Sequence, residues 1–283
     1  MKLSIAQRSS MVLLSLLAIT AMKPVSTDEA MTAGRDVTPV LNAVPFTPPP
    51  VMLGDSAEYT PPDFAGYRDV SARKAAFYDY MVPKIRAVNT EVLRERDWLV
   101  QLAWRVAEGQ PIADADEAEL ARMERRYSVD DNKGTVISRI AELMRRVDVV
   151  PASLVLATAA KESGWGTSRF AREGNNYFGI WCFYRGCGMT PRDRDEGRTH
   201  EVATFDTVAD GIRYYIRTIN THPAYDTLRR MRADARARHA HLPGYDMAAG
   251  LTSYSERGLA YVKEIQSMIQ YNQLARFTRR NPV

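Results

Sequence analysis

Cysteine and histidine are scarce in this 283-residue chain, which has two of the first and four of the second. Two cysteines exclude a disulfide-dense scaffold, and their spacing is not that of a C-x-x-C redox motif. Four histidines without paired ligand spacing argue against a structural zinc site, so no metal is expected. An excess of one charge is missing too. With 38 basic and 34 acidic residues, the net charge of +4 gives no basic face of the kind that marks nucleic-acid binding, so no nucleic-acid partner is expected. The small positive balance suits an anionic surface such as a cell wall or lipid headgroups. The chain also lacks an internal repeat, sustained heptads and a second long apolar run, which leaves no case for a stable oligomer and points to a monomer. What remains, 45% hydrophobic and 25% charged residues, is the make-up of a soluble folded protein with one or two cores.

Lys2 and Arg8 precede the apolar stretch Met11 to Met22, the charged-then-apolar plan of a secretory signal. That stretch is shorter than the roughly 20 residues of a membrane span. Ile19 and Ala21 offer only a weak cleavage site, so residues 1–22 are read as a signal peptide or an uncleaved anchor that tethers the chain to a membrane. Either alternative exports the body of the protein. Residues 23–67 carry Pro48-Pro49-Pro50 and Pro61-Pro62 with little apolar periodicity and read as an extended linker.

Residues 68–127 read as a helical extension. Phe77, Met81, Val88, Val92, Leu99, Leu102 and Val106 recur at helical spacing, with Pro83 expected to kink or break the helix. Asp114 is expected to cap a further helix from Ala115 to Tyr127, whose charges read as a solvated face. The seven arginines between Arg213 and Arg238 read the same way, although arginine also grips carboxylates. Beyond a boundary near Ser128, Val136, Ile137, Ile140, Leu143, Met144 and Val147 form one apolar stripe. A second helix starts at Pro151 and carries no charge through Ala160, so it should be buried on most sides.

Glu162 ends that helix, just before Ser163-Gly164-Trp165-Gly166, where the glycines supply a stop. A carboxylate there faces the negative end of the helix dipole, and an apolar setting containing an indole such as Trp165 would add to the effect. Both raise its pKa. A carboxylic acid that keeps its proton is what a glycosidase needs to protonate a leaving oxygen. A glutamate merely emerging into solvent would occupy the same position. The segment from Arg169 to Trp181, with Asn175-Asn176-Tyr177-Phe178 at its centre, then places amides and aromatic faces directly after the acid, a combination found both in sugar sites and in ordinary cores.

Ala159 to Gly166 together with Asn175 to Ile180 closely resembles the signature of the glucosaminidase domain of family 73 glycoside hydrolases, found in bacterial autolysins and flagellar wall hydrolases. The likeness continues through Ala203-Thr204-Phe205, Gly211 to Ile219, Pro223-Ala224-Tyr225 and Tyr254 to Ile269. The order of signal, Pro-rich linker and helical preface is similar to that of the exported bacterial Bax proteins. The resemblance implies a mainly α (α+β, lysozyme-like) fold over residues 128–277, with a small β-hairpin beside the cleft. It further implies an exported, periplasmic or cell-envelope enzyme without a cofactor that hydrolyses the β-1,4 bond on the N-acetylglucosaminyl side of peptidoglycan glycan strands.

On that resemblance Glu162 is the catalytic acid, and Tyr254 and Tyr261 match two family tyrosines, either of which would position substrate or the attacking water, with plain helix packing the alternative for each. Trp165, Asn175, Asn176, Tyr177 and Phe178 would shape the sugar site. A second acidic group is expected on the hairpin. The chain offers Asp193, Asp195, Glu196 and Glu201 there, with Asp193 or Glu196 preferred. Cys182 and Cys187, which the family pattern does not require, either close a small loop by a disulfide or stand as free thiols. The family is sometimes labelled an amidase, but no Cys-His pair or zinc ligand set supports amide hydrolysis. Lytic cleavage at the muramyl side, or a wall-binding protein that has lost catalysis, are the competing functions.

Overall fold

The computed structural model describes residues 60–130, 134–191, 200–241 and 243–278. Helix α1 (Val70–Ala107) is capped by Asp69, whose side chain accepts from the Ala72 amide at 2.6 Å. Its stripe of Phe77, Met81, Ile85, Val88, Val92, Leu99 and Leu102 is buried. The helix is not broken at Pro83. That residue is exposed while Met81, Val82 and Ile85 around it are buried, so packing on one face offsets the amide donor that proline lacks. Phe64, within the stretch read as linker, is also buried, in a short 3-10 turn (Phe64–Gly66) with its ring edge-on to Phe77 and Tyr80.

Helix α2 (Asp114–Tyr127) starts one residue earlier than expected. Ala113 is its N-cap, and Asp114, Asp116 and Glu117 lie in the first turn, where they complement the dipole without a side-chain cap. Its charges are not all solvated: Glu119 and Glu124 are buried, and Glu124 pairs with Arg139 at 3.0 Å. Helix α3 (Val136–Arg146) buries Ile140, Leu143 and Met144, as its stripe predicts. Helix α4 (Ala152–Ser163) is the centre of the fold, and every residue from Pro151 to Ala160 is buried. Around it pack α1, α9 (Leu259–Tyr271), the short α8 (Gly244–Met247) and the turn Leu274–Phe277. Helix α5 (Arg169–Gly174) leads into the loop that faces the end of α4. Helix α6 (Val208–Thr221) opens with a capping box between Thr207 and Asp210, and α7 (Asp226–Ala237) follows the turn Pro223–Tyr225.

In place of a simple hairpin the fold carries a three-stranded antiparallel sheet of β1 (Trp181–Cys182), β2 (Gly188–Met189) and β3 (Glu201–Ala203). Strand β3 lies in the middle, pairing Trp181 with Val202 and Gly188 with Ala203. The observed class is the mainly α, lysozyme-like one with a small sheet. Among the described residues no helix is long and apolar enough to cross a membrane.

The arginines of α7 read as solvated in sequence, but several face inward. Asp148 is buried between α3 and α4 and accepts from Nε and Nη2 of Arg236, with Arg96 and Arg232 each 3.7 Å away. Arg232 also donates to the carbonyls of Arg145 and Arg146, at 3.2 and 3.1 Å, and Arg96 donates to those of Met144 and Val147. These are the orphan carbonyls at the end of α3, so two guanidiniums from distant helices serve as its C-terminal cap. Arg213 pairs with Glu91 on α1 and with Asp210.

Candidate active site

The end of α4 is a turn of three successive left-handed residues, Gly164, Trp165 and Gly166, with φ of 57°, 62° and 80°. The Trp165 amide donates to Ala160 O at 2.8 Å and the Gly164 amide to Lys161 O at 3.4 Å, the bonding pattern of a Schellman stop. Ser163 completes the turn, donating to Ala159 O at 2.6 Å and accepting from the Gly166 amide at 2.8 Å. This turn leaves Glu162 half-buried.

The Glu162 carboxyl receives the Tyr261 hydroxyl on Oε1 at 2.9 Å. Its other oxygen, Oε2, faces Gly179, where an added Cβ would stand 3.4 Å from it. Gly179 is exposed and has φ of +64°, so the chain passes close to the acid without placing a side chain over it. Burial raises the Glu162 pKa above the ordinary carboxylate value; the Tyr261 hydrogen bond and the Lys161 charge work against that rise, and Glu264 adds to it. The aromatic partner of Glu162 is therefore Tyr261. The Trp165 ring packs edge-on against Phe77 and Tyr78, at 5.5 and 5.7 Å.

Tyr261 is buried and stacks on Tyr254 at 5.3 Å, and the Tyr254 hydroxyl donates to Phe178 O at 2.8 Å. Burial holds both phenols protonated far above neutral pH. The two tyrosines thus join the acid to the loop opposite. That loop is built by the other residues picked out in sequence. Asn176 is buried, its amide nitrogen donating to Ile180 O and Ala203 O at 2.9 and 2.8 Å while its oxygen accepts from the Phe178 and Ile180 amides. Asn175 ends α5 in the left-handed conformation and donates to Phe205 O and Asp206 O. Phe178 stacks on Tyr215 at 4.4 Å, and Tyr177 is fully buried. The structure thus brings Glu162, Tyr254 and Tyr261 together, whereas Asn175, Asn176, Tyr177 and Phe178 hold the loop from behind. Asp193 and Glu196 lie outside the described residues.

Cys182 and Cys187 are joined, with Cα atoms 6.1 Å apart. Glu201 lies against this loop and accepts from the Gly186 and Gly188 amides at 3.1 and 2.9 Å. The donor atoms of Cys182, Cys187 and Glu201 fall within 4.8 Å of one another, but the bonded sulfurs are not thiolates and offer a metal no strong ligand. The same loop presents Trp181, Phe183 and Tyr184 to solvent, with Trp181 stacked on His200 at 4.3 Å. Trp181 belongs to the aromatic run that the sequence places after the acid, whereas Phe183 and Tyr184 carry no signal in sequence, and neither does Gly179, whose value lies in the side chain it does not have.

A family model described as mannosyl-glycoprotein endo-beta-N-acetylglucosaminidase, the glucosaminidase family, matches residues 138–274. Protein bax of Escherichia coli (strain K12) is 34% identical over 212 residues, which covers 75% of this chain and 74% of that protein. The peptidoglycan hydrolase FlgJ of Vibrio parahaemolyticus serotype O3:K6 is 32% identical over 132 residues, 42% of either chain, so the likeness spans less than half of that relative. No solved structure matches the chain at a significant level.

Proposed function

Because the chain belongs to the glucosaminidase family, we propose that it is a peptidoglycan hydrolase of the cell envelope. It cleaves the β-1,4 bond on the N-acetylglucosaminyl side of the glycan, with Glu162 as general acid. The observation that carries this reading is the half-buried Glu162 carboxyl, its pKa raised by burial, with Oε1 tied to Tyr261 and Oε2 turned toward the exposed backbone of Gly179. The relative FlgJ, whose name states peptidoglycan hydrolysis, supports the substrate class.

In the proposed step Oε2 carries the proton and passes it to the glycosidic oxygen as the bond to the sugar breaks. Tyr261 fixes the carboxyl so that this oxygen points outward. Tyr254 holds the Phe178 carbonyl and so sets the distance between the acid and the opposite wall, which Asn175, Asn176, Tyr177 and Phe178 stiffen. We assign the second carboxylate to Asp193 or Glu196. A partner about 5 Å from the acid gives retention and a wider gap gives inversion, while attack by the sugar's own acetamido group needs no protein nucleophile. The apolar stretch from Met11 to Met22 directs export, as signal or tether.

Digestion of purified peptidoglycan followed by mass spectrometry of the new ends tests the reading. Reducing N-acetylglucosamine ends are expected, and Glu162→Gln should abolish them. 1,6-Anhydromuramyl ends would instead indicate lytic cleavage, and binding without products would indicate a wall-binding protein. Unchanged cleavage by Glu162→Gln would remove Glu162 from the role of acid.

A further inference from the structure

An open surface groove of about 490 Å³ lies between the start of α1, the end of α4 and the outer face of α9. Three lysines, Lys74, Lys161 and Lys263, line it against the single carboxylate Glu264, with Trp165 and Tyr271 as aromatic walls. Glu264 is already neutralised twice, by Lys161 at 2.5 Å and by Arg257. Lys74 spends one of its three donors on Asn272 Oδ1 at 2.7 Å and sits 4.8 and 5.2 Å from the ring centres of Trp165 and Tyr271. Among the described residues Lys263 has no ion-pair partner, and its side chain is exposed. The groove therefore offers two ammonium groups with free donors beside two flat apolar faces, one of them a tyrosine that is 84% exposed.

This groove adjoins the proposed acid. Lys161 precedes Glu162 in the chain, Glu264 lies one turn after Tyr261 on α9, and both charges act on the Glu162 carboxyl. A branch from a glycan lying over Glu162 would meet it by passing Lys161, whose ammonium lies 5.8 Å from the Tyr261 ring centre. A three-residue peptide reaches about 10 Å when extended. We propose that this pocket is a subsite for a carboxylate of the short peptides that branch from the glycan, so that the protein prefers peptide-bearing strands to bare ones. The inference rests on the peptidoglycan reading above for its substrate class, and on charge complementarity and continuity with the acid for its position. A carboxylate would take the free donors of Lys74 and Lys263, and the apolar part of the peptide would lie on Tyr271.

The test is equilibrium binding of the full chain to insoluble wall glycan, intact or stripped of its peptides by an amidase, with phosphatidylglycerol vesicles as a third arm. The wild type should bind intact glycan more tightly than stripped glycan. Lys263→Ala should reduce that ratio about fivefold, the size of one partly exposed charge pair. Lys74→Gln should reduce it as well, and Lys263→Arg should restore it. An equal ratio in wild type and Lys263→Ala, or no preference in the wild type, overturns the proposal. So does a lysine effect that appears on the vesicles and not on the glycan, which would make the ligand a phosphate. Hydrolysis is read separately: a protein that binds intact glycan selectively but releases no new ends refutes the hydrolase reading and leaves the pocket standing.

Discussion

Replacing Asp148 by Asn would remove the anion that three guanidiniums share in the interior. Burial alone would push the Asp148 carboxyl up, but Arg232, the Arg236 hydrogen bonds and Arg96 overcome it and hold the group at about 2, against an ordinary value of 3.8. At about 1.4 kcal/mol per pKa unit that difference corresponds to roughly 2 kcal/mol of folding stability. A depressed folded-state pKa contributes stability that is present above the unfolded value and lost as pH falls through the folded one, here between about pH 5 and pH 2. The Asn variant also leaves Arg96, Arg232 and Arg236 without their counter-ion, and breaking a buried pair in this way costs about 3–5 kcal/mol. Urea unfolding followed by fluorescence and circular dichroism, compared between wild type and Asp148→Asn, should therefore show a loss of about 3–5 kcal/mol near neutral pH. The gap should narrow by roughly 2 kcal/mol on acidification from about pH 5 to pH 2. A loss below about 1 kcal/mol near neutrality, or a gap that does not change with pH, would refute the assignment of this cluster as a tether between α1, α3 and α7.

Further expectations concern the acid and its walls. Burial raises the Glu162 pKa while the Tyr261 hydroxyl opposes the rise, so Tyr261→Phe should move the basic limb of the pH profile of kcat/KM to higher pH; a limb that moves down or stays fixed contradicts the hydrogen bond's role. A raised folded-state pKa on an acid costs stability once pH exceeds it, so Glu162→Gln should match the wild type in thermal stability at low pH and surpass it near neutrality, even as cleavage stops. Gly179→Ala places a methyl in contact with Glu162 Oε2 and forces a side chain into the left-handed region, at about 1 kcal/mol in denaturant unfolding, and should depress kcat/KM by far more than that loss implies. Reducing the Cys182–Cys187 bond releases a small loop worth about 2 kcal/mol of closure entropy, and hydrogen exchange should quicken at the Gly186 and Gly188 amides that Glu201 holds.

Much of the site was legible because it is local. The uncharged run from Pro151 to Ala160, the glycines after Glu162 and the acid between them state a buried helix, its stop and an acid at its end, and all three are observed. The stripe of α3 reads equally well from one segment. What escaped depends on partners far apart in the chain. Nothing near Arg232 or Arg236 announces Asp148, more than eighty residues earlier, so their charges look solvated until the fold closes. Asn175 and Asn176 carry amides that serve a sugar or the backbone equally well in sequence. Only the loop geometry shows that backbone carbonyls and amides already engage them. The helix runs unbroken through Pro83 for a related reason, since local chemistry disfavours the helix there and packing of distant residues restores it.

Phe64 bears on how this protein is best cut for study. Its ring lies over Gly166, so close that a Cβ on that glycine would fall 2.3 Å from it, and it rests in turn on Phe77 and Tyr80. A fragment trimmed to the stretch that the family model covers would begin after this aromatic buttress and after all of α1, stripping the lid from the turn that aims Glu162. Such a fragment would retain every residue of the family signature yet display the greasy flank of α4 to water, and we would expect it to aggregate where the longer chain stays in solution.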